Sequence, residues 1–225
     1  MTPTRIQRKW HPILFKGDMV RAIQGGRKTQ TRRVIRNLPS SWVQGKRPSH
    51  PSWTDRDFAF FDPAHPTDTY PTCFTCPYGV PGDFLWVRET WATYKCLDKD
   101  PPRLTGKNSA FWYRADSSVR NLEGLRSETR GKWRPSIHMP RWASRISLEV
   151  TGVRVERVQE IATLRDIPAE GVDCRGYEGH ALSVHQMRGK FWGLWDSINA
   201  KRGYGWELNP WVFVIEFLKR TEGKE

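Results

Sequence analysis

The chain has 225 residues and a formal net charge of +13, from 37 Lys and Arg against 24 Asp and Glu. That length allows one domain with a real core or two small ones, and the charge favours a polyanion: RNA, DNA, a nucleotide or an anionic surface. No apolar run approaches the roughly 20 residues of a membrane-spanning helix, and the basic start, Met1 to Trp10, lacks the apolar stretch of a signal peptide; the sequence reads as cytoplasmic, without a membrane partner.

In chain order, Ile13-Leu-Phe15 reads as a short strand. Asp18 then caps a helix carrying Met19, Val20 and Ile23, which Gly25-Gly26 ends. The basic run Arg27-Lys-Thr-Gln-Thr-Arg-Arg33 emerges into a loop or strand. Residues 37–76, rich in Pro, Ser, Asp and Thr, read as an irregular insertion. Pro81-Gly82 marks a turn before a buried strand from Phe84 to Val87. A second irregular region spans about 95–140, interrupted by a short strand at Phe111-Trp-Tyr-Arg-Ala115.

The segment Arg145 to Val158 reads as a strand pair or one bent strand. Ile146, Leu148 and Val150 alternate with polar residues, Gly152 marks a bulge or bend, and Val153 and Val155 resume the alternation. Thr163 and Asp166 suggest the start of a short helix through Glu170 that stops at Gly171, although Pro168 argues against a regular helix there. Residues 184–203 form the best helix, with Val184, Met187, Phe191, Leu194 and Ile198 on one face and Gly203 as its stop. Pro210 to Leu218 is the best final strand, with Trp211, Phe213, Ile215 and Phe217 on one side. The order suits a single α+β domain over residues 1–225, mainly antiparallel, with insertions at about 37–76 and 95–140. Trp211, Phe213 and Ile215 are expected to bury against Phe84, Trp86, Leu148 and Val150.

Twelve Trp are many for a chain of this size. Trp fills cores, and it also stacks on bases when interleaved with Arg and Lys, as in Lys132-Trp133-Arg134 and Arg141-Trp142. Cys73 and Cys76 have the spacing of half a zinc site. No second such pair exists, and Cys96 and Cys174 would have to complete it from a distance, so reduced thiols and no metal are expected. The phosphate-cradling, dinucleotide, zinc-protease and deaminase motifs are all missing, and no cofactor is expected.

The chemistry therefore rests on Lys28 and Thr31. A Thr hydroxyl becomes a nucleophile when a base takes its proton. Lys is such a base if burial or neighbouring cations such as Arg27, Arg32 and Arg33 lower its pKa. Residues three apart lie on opposite faces of a strand, so the chain is expected to turn between the two.

The runs ILFKGDMVRAIQGGRKTQTRRVI, PGDFLWVRE and NPWVFVIEF resemble the ASCH family of the PUA-like superfamily, compact β-barrel domains linked to RNA and nucleotide chemistry. Gly26, Lys28 and Arg33 match the family's signature run. CPYGVPGDFLWVRETW, WRPSIHMPRWASRISLEVTGVRVERV and NAKRGYGWELNPWVFVIEF look like a longer subgroup found in bacteriophages and prophages. GRKTQTRR is similar to the same run in bacterial N4-acetylcytidine amidohydrolases.

That resemblance implies Thr31 as nucleophile, Lys28 as its base and Glu170 as proton shuttle, the last by motif order. It implies hydrolysis of an amide on a modified base, with Arg33 stabilising an oxyanion or phosphate and Arg88, Glu89 and Trp211 as further substrate contacts. Arg27, Arg32, Arg33, Arg141 and Arg145 are the expected nucleic-acid contacts. The alternatives are a non-catalytic RNA- or DNA-binding module and an ASCH-type ribonuclease, which needs a carboxylate cluster that the sequence does not reveal.

Overall fold

A computed structural model describes residues 8–45, 54–65, 71–121, 130–176 and 180–220. Residues 1–7, and the parts of the two expected insertions at 46–53, 66–70 and 122–129, lie outside the described residues. The chain divides into two compact units: Met1–Gly26, Asp83–Glu149 and Lys219–Glu225 form the first, Arg27–Gly82 and Val150–Leu218 the second. The fold is α+β with mostly antiparallel pairing, and among the described residues no sheet closes into a barrel.

The first unit holds β1 (Trp10–Leu14), α1 (Gly17–Gln24), β6 (Phe84–Arg88), β7 (Trp91–Ala92), β8 (Phe111–Tyr113) and β9 (Val119–Arg120). β1 runs parallel to β6, with Trp10 opposite Phe84 and Pro12 opposite Trp86. The opening residues of β10 (Ser147–Arg157) add antiparallel to β6, with Ser147 opposite Trp86. Side chains alternate across a strand, so Trp10, Phe84, Trp86, Arg88 and Ser147 share one face. Asp18 is not the cap of α1. That position is Lys16, and Asp18 lies in the first turn, where its charge suits the helix N-terminus and Arg21 donates to it. Gly26, at φ +71°, supplies the left-handed residue after the helix. β7, β8 and β9 form an antiparallel sheet. Trp91, Phe111 and Tyr113 pack there with Met139 and Ala143, and the Tyr113 hydroxyl donates to the Ala143 carbonyl at 2.8 Å.

The second unit holds β2 (Gln30–Val34), β3 (Val43–Gly45), β4 (Asp57–Phe61), β5 (Thr72–Thr75), the rest of β10, α2 (Thr163–Ala169), α3 (Val184–Asn199) and β11 (Trp211–Lys219). β11 lies between β10 and β2 and is buried from Trp211 to Ile215 on both faces. It runs antiparallel to β2, with Thr31 opposite Ile215 and Arg33 opposite Phe213. Val212 and Val214 pack with Ile167, Met187, Phe191, Trp195 and Trp206. Phe213 meets Phe58, and Trp211 meets Phe60.

Three expectations are corrected in this unit. The region 37–76 is not irregular throughout, because β3, β4 and β5 form an antiparallel sheet of three short strands. The buried face of α3 runs through Met187, Phe191 and Trp195, while Val184 is exposed. α2 includes Pro168, whose missing N–H costs one bond in the last turn, just before Gly171 at φ +83° ends the helix.

β10 is one continuous strand with no break at Gly152. A Cβ there would lie 2.9 Å from the Glu216 carboxylate on β11, the far end of a flexible side chain that a small shift moves aside. The residues expected to share a core are all buried. Phe84, Trp86 and Leu148 belong to the first unit, and Val150, Trp211, Phe213 and Ile215 to the second.

Candidate active site

The basic run leaves its turn as extended chain. Lys28 forms an antiparallel bridge with Glu170, and the Thr29 amide donates to the Ala169 carbonyl at 2.9 Å. This ties the entry to β2 against the end of α2. The expected turn between Lys28 and Thr31 is not made. Instead the Lys28 side chain reaches along the backbone, and its Nζ donates to the Gln30 carbonyl at 2.7 Å, the carbonyl of the peptide that leads into Thr31. The Lys28 amine therefore meets the backbone beside Thr31 rather than the Thr31 hydroxyl.

The same Nζ donates to the Glu170 carbonyl at 2.7 Å and to Glu170 Oε2 at 2.9 Å. Three acceptors match the three N–H groups of an ammonium. Glu170 is the C-cap of α2, so Lys28 also sits where a cation suits a helix C-terminus. Lys28 is 3% exposed, Thr31 4% and Glu170 5%. All three side chains are therefore nearly sealed from solvent. Burial pushes the Lys28 pKa down. The Glu170 carboxylate opposes this, and Arg33 and Arg32 add to it. Among the described residues the Thr31 hydroxyl makes no hydrogen bond. Strand alternation puts it on the same side of β2 as Arg33, whose pKa burial also lowers.

Arg32 is 5% exposed and anchors an ion-pair cluster. It donates to Glu170 Oε1 at 3.0 Å, to Asp166 Oδ2 at 2.8 Å and, through Nε, to Glu156 Oε1 at 2.9 Å. Arg154 extends the cluster to Glu156 at 3.0 Å, to Asp166 at 3.1 Å and to Glu216. Burial alone would raise the Asp166 carboxyl, but hydrogen bonds from Arg32 and Arg165 hold it below its ordinary value. Arg32 is thus not presented to a nucleic-acid backbone, because its charge is neutralised inside the unit.

Of the remaining expected residues, Arg27 is exposed. Trp211 is 9% exposed; Phe60 meets its ring edge-on, Arg157 lies over it at 4.1 Å, and its N–H donates to the Trp42 carbonyl. It is a core residue rather than an open stacking surface. Arg88, Glu89, Arg141 and Arg145 belong to the first unit. There Arg145 grips both oxygens of buried Glu89, at 2.8 and 2.9 Å, and reaches Asp116 at 2.8 Å. Arg88 lies over Trp86, and Arg141 is exposed. Cys73 is exposed and Cys76 buried. Among the described residues no three His, Cys, Asp or Glu side chains converge as a metal site, and no helix is long and apolar enough to cross a membrane.

No family model, no curated protein and no solved structure matches the chain.

Sequence reasoning missed Glu156, Asp166, Arg154 and Gln30. A signal was present: Arg154 and Glu156 occupy one face of β10, opposite in charge and two residues apart, on a strand whose intervening positions are Val. Gln30 Nε2 is buried with no acceptor among the described residues, and a bound carbonyl oxygen would satisfy it. The carboxylates Glu156, Asp166 and Glu170 do converge, but on a guanidinium rather than on an open metal position.

Proposed function

We propose that the chain is an ASCH-type, PUA-like protein that hydrolyses an amide on a modified base, with an N4-acylated cytidine as the substrate class. The observation that carries this reading is the buried contact of Lys28 Nζ with Glu170 Oε2 at 2.9 Å, beside the peptide that bears Thr31. Burial favours the neutral amine that a base must be.

In this reading Thr31 Oγ attacks the acyl carbon while its proton passes to Lys28. The carbonyl π pair moves onto oxygen and is stabilised by Arg33. Collapse of that intermediate breaks the C–N bond, and the N4 amine of cytidine leaves with a proton delivered through Glu170. Water then attacks the acyl-threonine ester, releasing a carboxylate and restoring the hydroxyl. Opening of the Lys28–Glu170 contact must accompany substrate entry, given the burial of all three groups.

Incubating the protein with N4-acetylcytidine and larger N4-acyl cytidines, and reading cytidine release by chromatography, tests this. Turnover that is lost in Thr31→Ala supports the mechanism. No release from any N4-acyl cytidine, or full turnover by Thr31→Ala, sinks it.

A second reading is a non-catalytic nucleic-acid-binding module. The +13 charge favours it, since a nucleoside hydrolase needs no such field. The sealed state of Lys28 favours it as well, because a lysine capping α2 and paired with Glu170 is complete as a structural element. Under this reading the charge binds single-stranded RNA in a salt-sensitive way and no amide is cleaved.

A further inference from the structure

The first unit contains a cavity of about 450 Å³ that the Lys28 chemistry does not use. Its walls include Trp10, Trp86 and Trp142, with Arg141, Lys107, Ser144 and Ser147 completing the lining. The volume is within the range of small-molecule sites, roughly 300–1,000 Å³. The strand register described above explains much of the convergence: Trp10, Trp86 and Ser147 project from one face of neighbouring strands, and the turn Arg141–Ala143 brings Arg141 and Trp142.

The charge of this cavity is one-sided. No carboxylate lines it; Glu149 shares the face by register but is not part of the lining. Arg141 and Lys107 are exposed, and among the described residues their side chains form no ion pair or hydrogen bond. Arg145, by contrast, is held by Glu89 and Asp116. The Arg141 guanidinium lies over the Trp10 ring at 3.9 Å and Arg88 over Trp86 at 4.5 Å. Arg220 covers Phe84 on the same face at 4.6 Å. The three lining indoles donate no hydrogen bond to any described residue, and neither does the Ser147 hydroxyl. A cavity that offers flat apolar walls and unused donors, with no acceptor carboxylate, is complementary to a planar ring that carries an anion.

We propose that this cavity binds a nucleoside phosphate unit, the base against the tryptophans and the phosphate on Arg141 and Lys107. Such a unit is offered both by a free nucleotide and by a single strand of nucleic acid. Stacking and phosphate neutralisation together explain why aromatic and unpaired cationic groups share one concavity. The assignment does not rest on amide hydrolysis, and Thr31→Ala is expected to bind the ligand as the wild type does.

The test is calorimetric titration of the full chain at low salt with adenosine monophosphate, adenosine, inorganic phosphate and an eight-nucleotide single-stranded RNA. The monophosphate should bind at least about tenfold tighter than adenosine or phosphate alone. Arg141→Glu and Lys107→Glu should each weaken it by about tenfold, while Lys201→Glu, an equal charge change at an exposed position of the second unit, should not. Trp142→Ala should weaken the monophosphate but leave inorganic phosphate unchanged, with the melting temperature read alongside because Trp142 also meets Phe111 at 5.5 Å. RNA binding tighter than the monophosphate and equally sensitive to Arg141→Glu identifies the strand as the source; equal affinities identify the free nucleotide. No measurable binding of either, or equal losses from Lys201→Glu and Arg141→Glu, overturns the proposal.

Discussion

Lys28 Nζ donates to both the side-chain carboxylate and the main-chain carbonyl of Glu170, so one ammonium ties β2 to the end of α2 twice. This double contact makes Lys28 a structural residue as well as a candidate base, and the two roles separate by mutation. Lys28→Ala leaves the Glu170 carbonyl without its buried donor and should destabilise the protein by about 3–5 kcal/mol, the cost of breaking a buried pair. Lys28→Met paired with Glu170→Gln should recover part of that loss while remaining inactive on N4-acyl cytidines. Chemical denaturation of the two single variants and the double variant measures the coupling; additive losses would mean that the contact carries no energy of its own.

Acid should loosen the Arg32 cluster. The folded Asp166 carboxyl is held below its ordinary pKa of about 3.9, so its contribution to stability is complete above that value and is lost as the pH falls toward the folded value. Arg32→Leu reverses the balance, because Asp166 and Glu170 then lose the guanidinium between them and protonation relieves their repulsion. Melting temperatures between pH 3 and 7 should fall with acidification in the wild type. In Arg32→Leu they should be lower overall and should rise from neutral pH to about pH 5.

Cys76 should resist modification. Burial pushes its thiol up to about 11, and the side chain has no exposed surface, whereas Cys73 and Cys96 are exposed. Iodoacetamide at pH 8, read by mass spectrometry, should label Cys73 and Cys96 in the folded protein and Cys76 only after denaturation. Equal labelling of Cys73 and Cys76 would contradict the burial of the second thiol.

Truncation after Gly203 should abolish folding rather than trim a tail. It removes β11, whose residues Trp211 to Ile215 are buried and which supplies the partner of every residue of β2. Circular dichroism and a cooperative melt report the outcome, and a truncated chain that melted cooperatively would show that β11 is dispensable.

What the sequence made legible follows the strength of local signals. β11 was visible because Trp211 to Ile215 are β-branched or aromatic without interruption and Phe217 continues the pattern. β3, β4 and β5 were not, because strands of three to five residues amid Pro and Ser offer too short a pattern. At the site, Lys28 and Glu170 were found through motif order, and the chain brings them into contact. Arg32 was read as a phosphate contact because charge alone does not reveal which way a strand residue points. Once β2 is set in register, Arg32 alternates away from Thr31 and toward Asp166 and Glu156, and its burial follows from the three carboxylates that wait there. The face of α3 was misplaced because Trp195 and Leu194 are both apolar, and only packing against Phe191 and Trp206 selects between them.

Neither compact unit is a contiguous stretch of chain: the first is assembled from three segments and the second from two, and the last residues of the sequence belong to the first. Neither unit is therefore an N-terminal module that folds as one contiguous stretch while the rest is still being made. A growing chain holds β2 without β11, its one strand partner among the described residues, until the far end of the second unit has been made, whereas β6 has β1 before it. One cut in the chain releases neither unit whole, so neither can be excised by simple cutting to serve as an independent module.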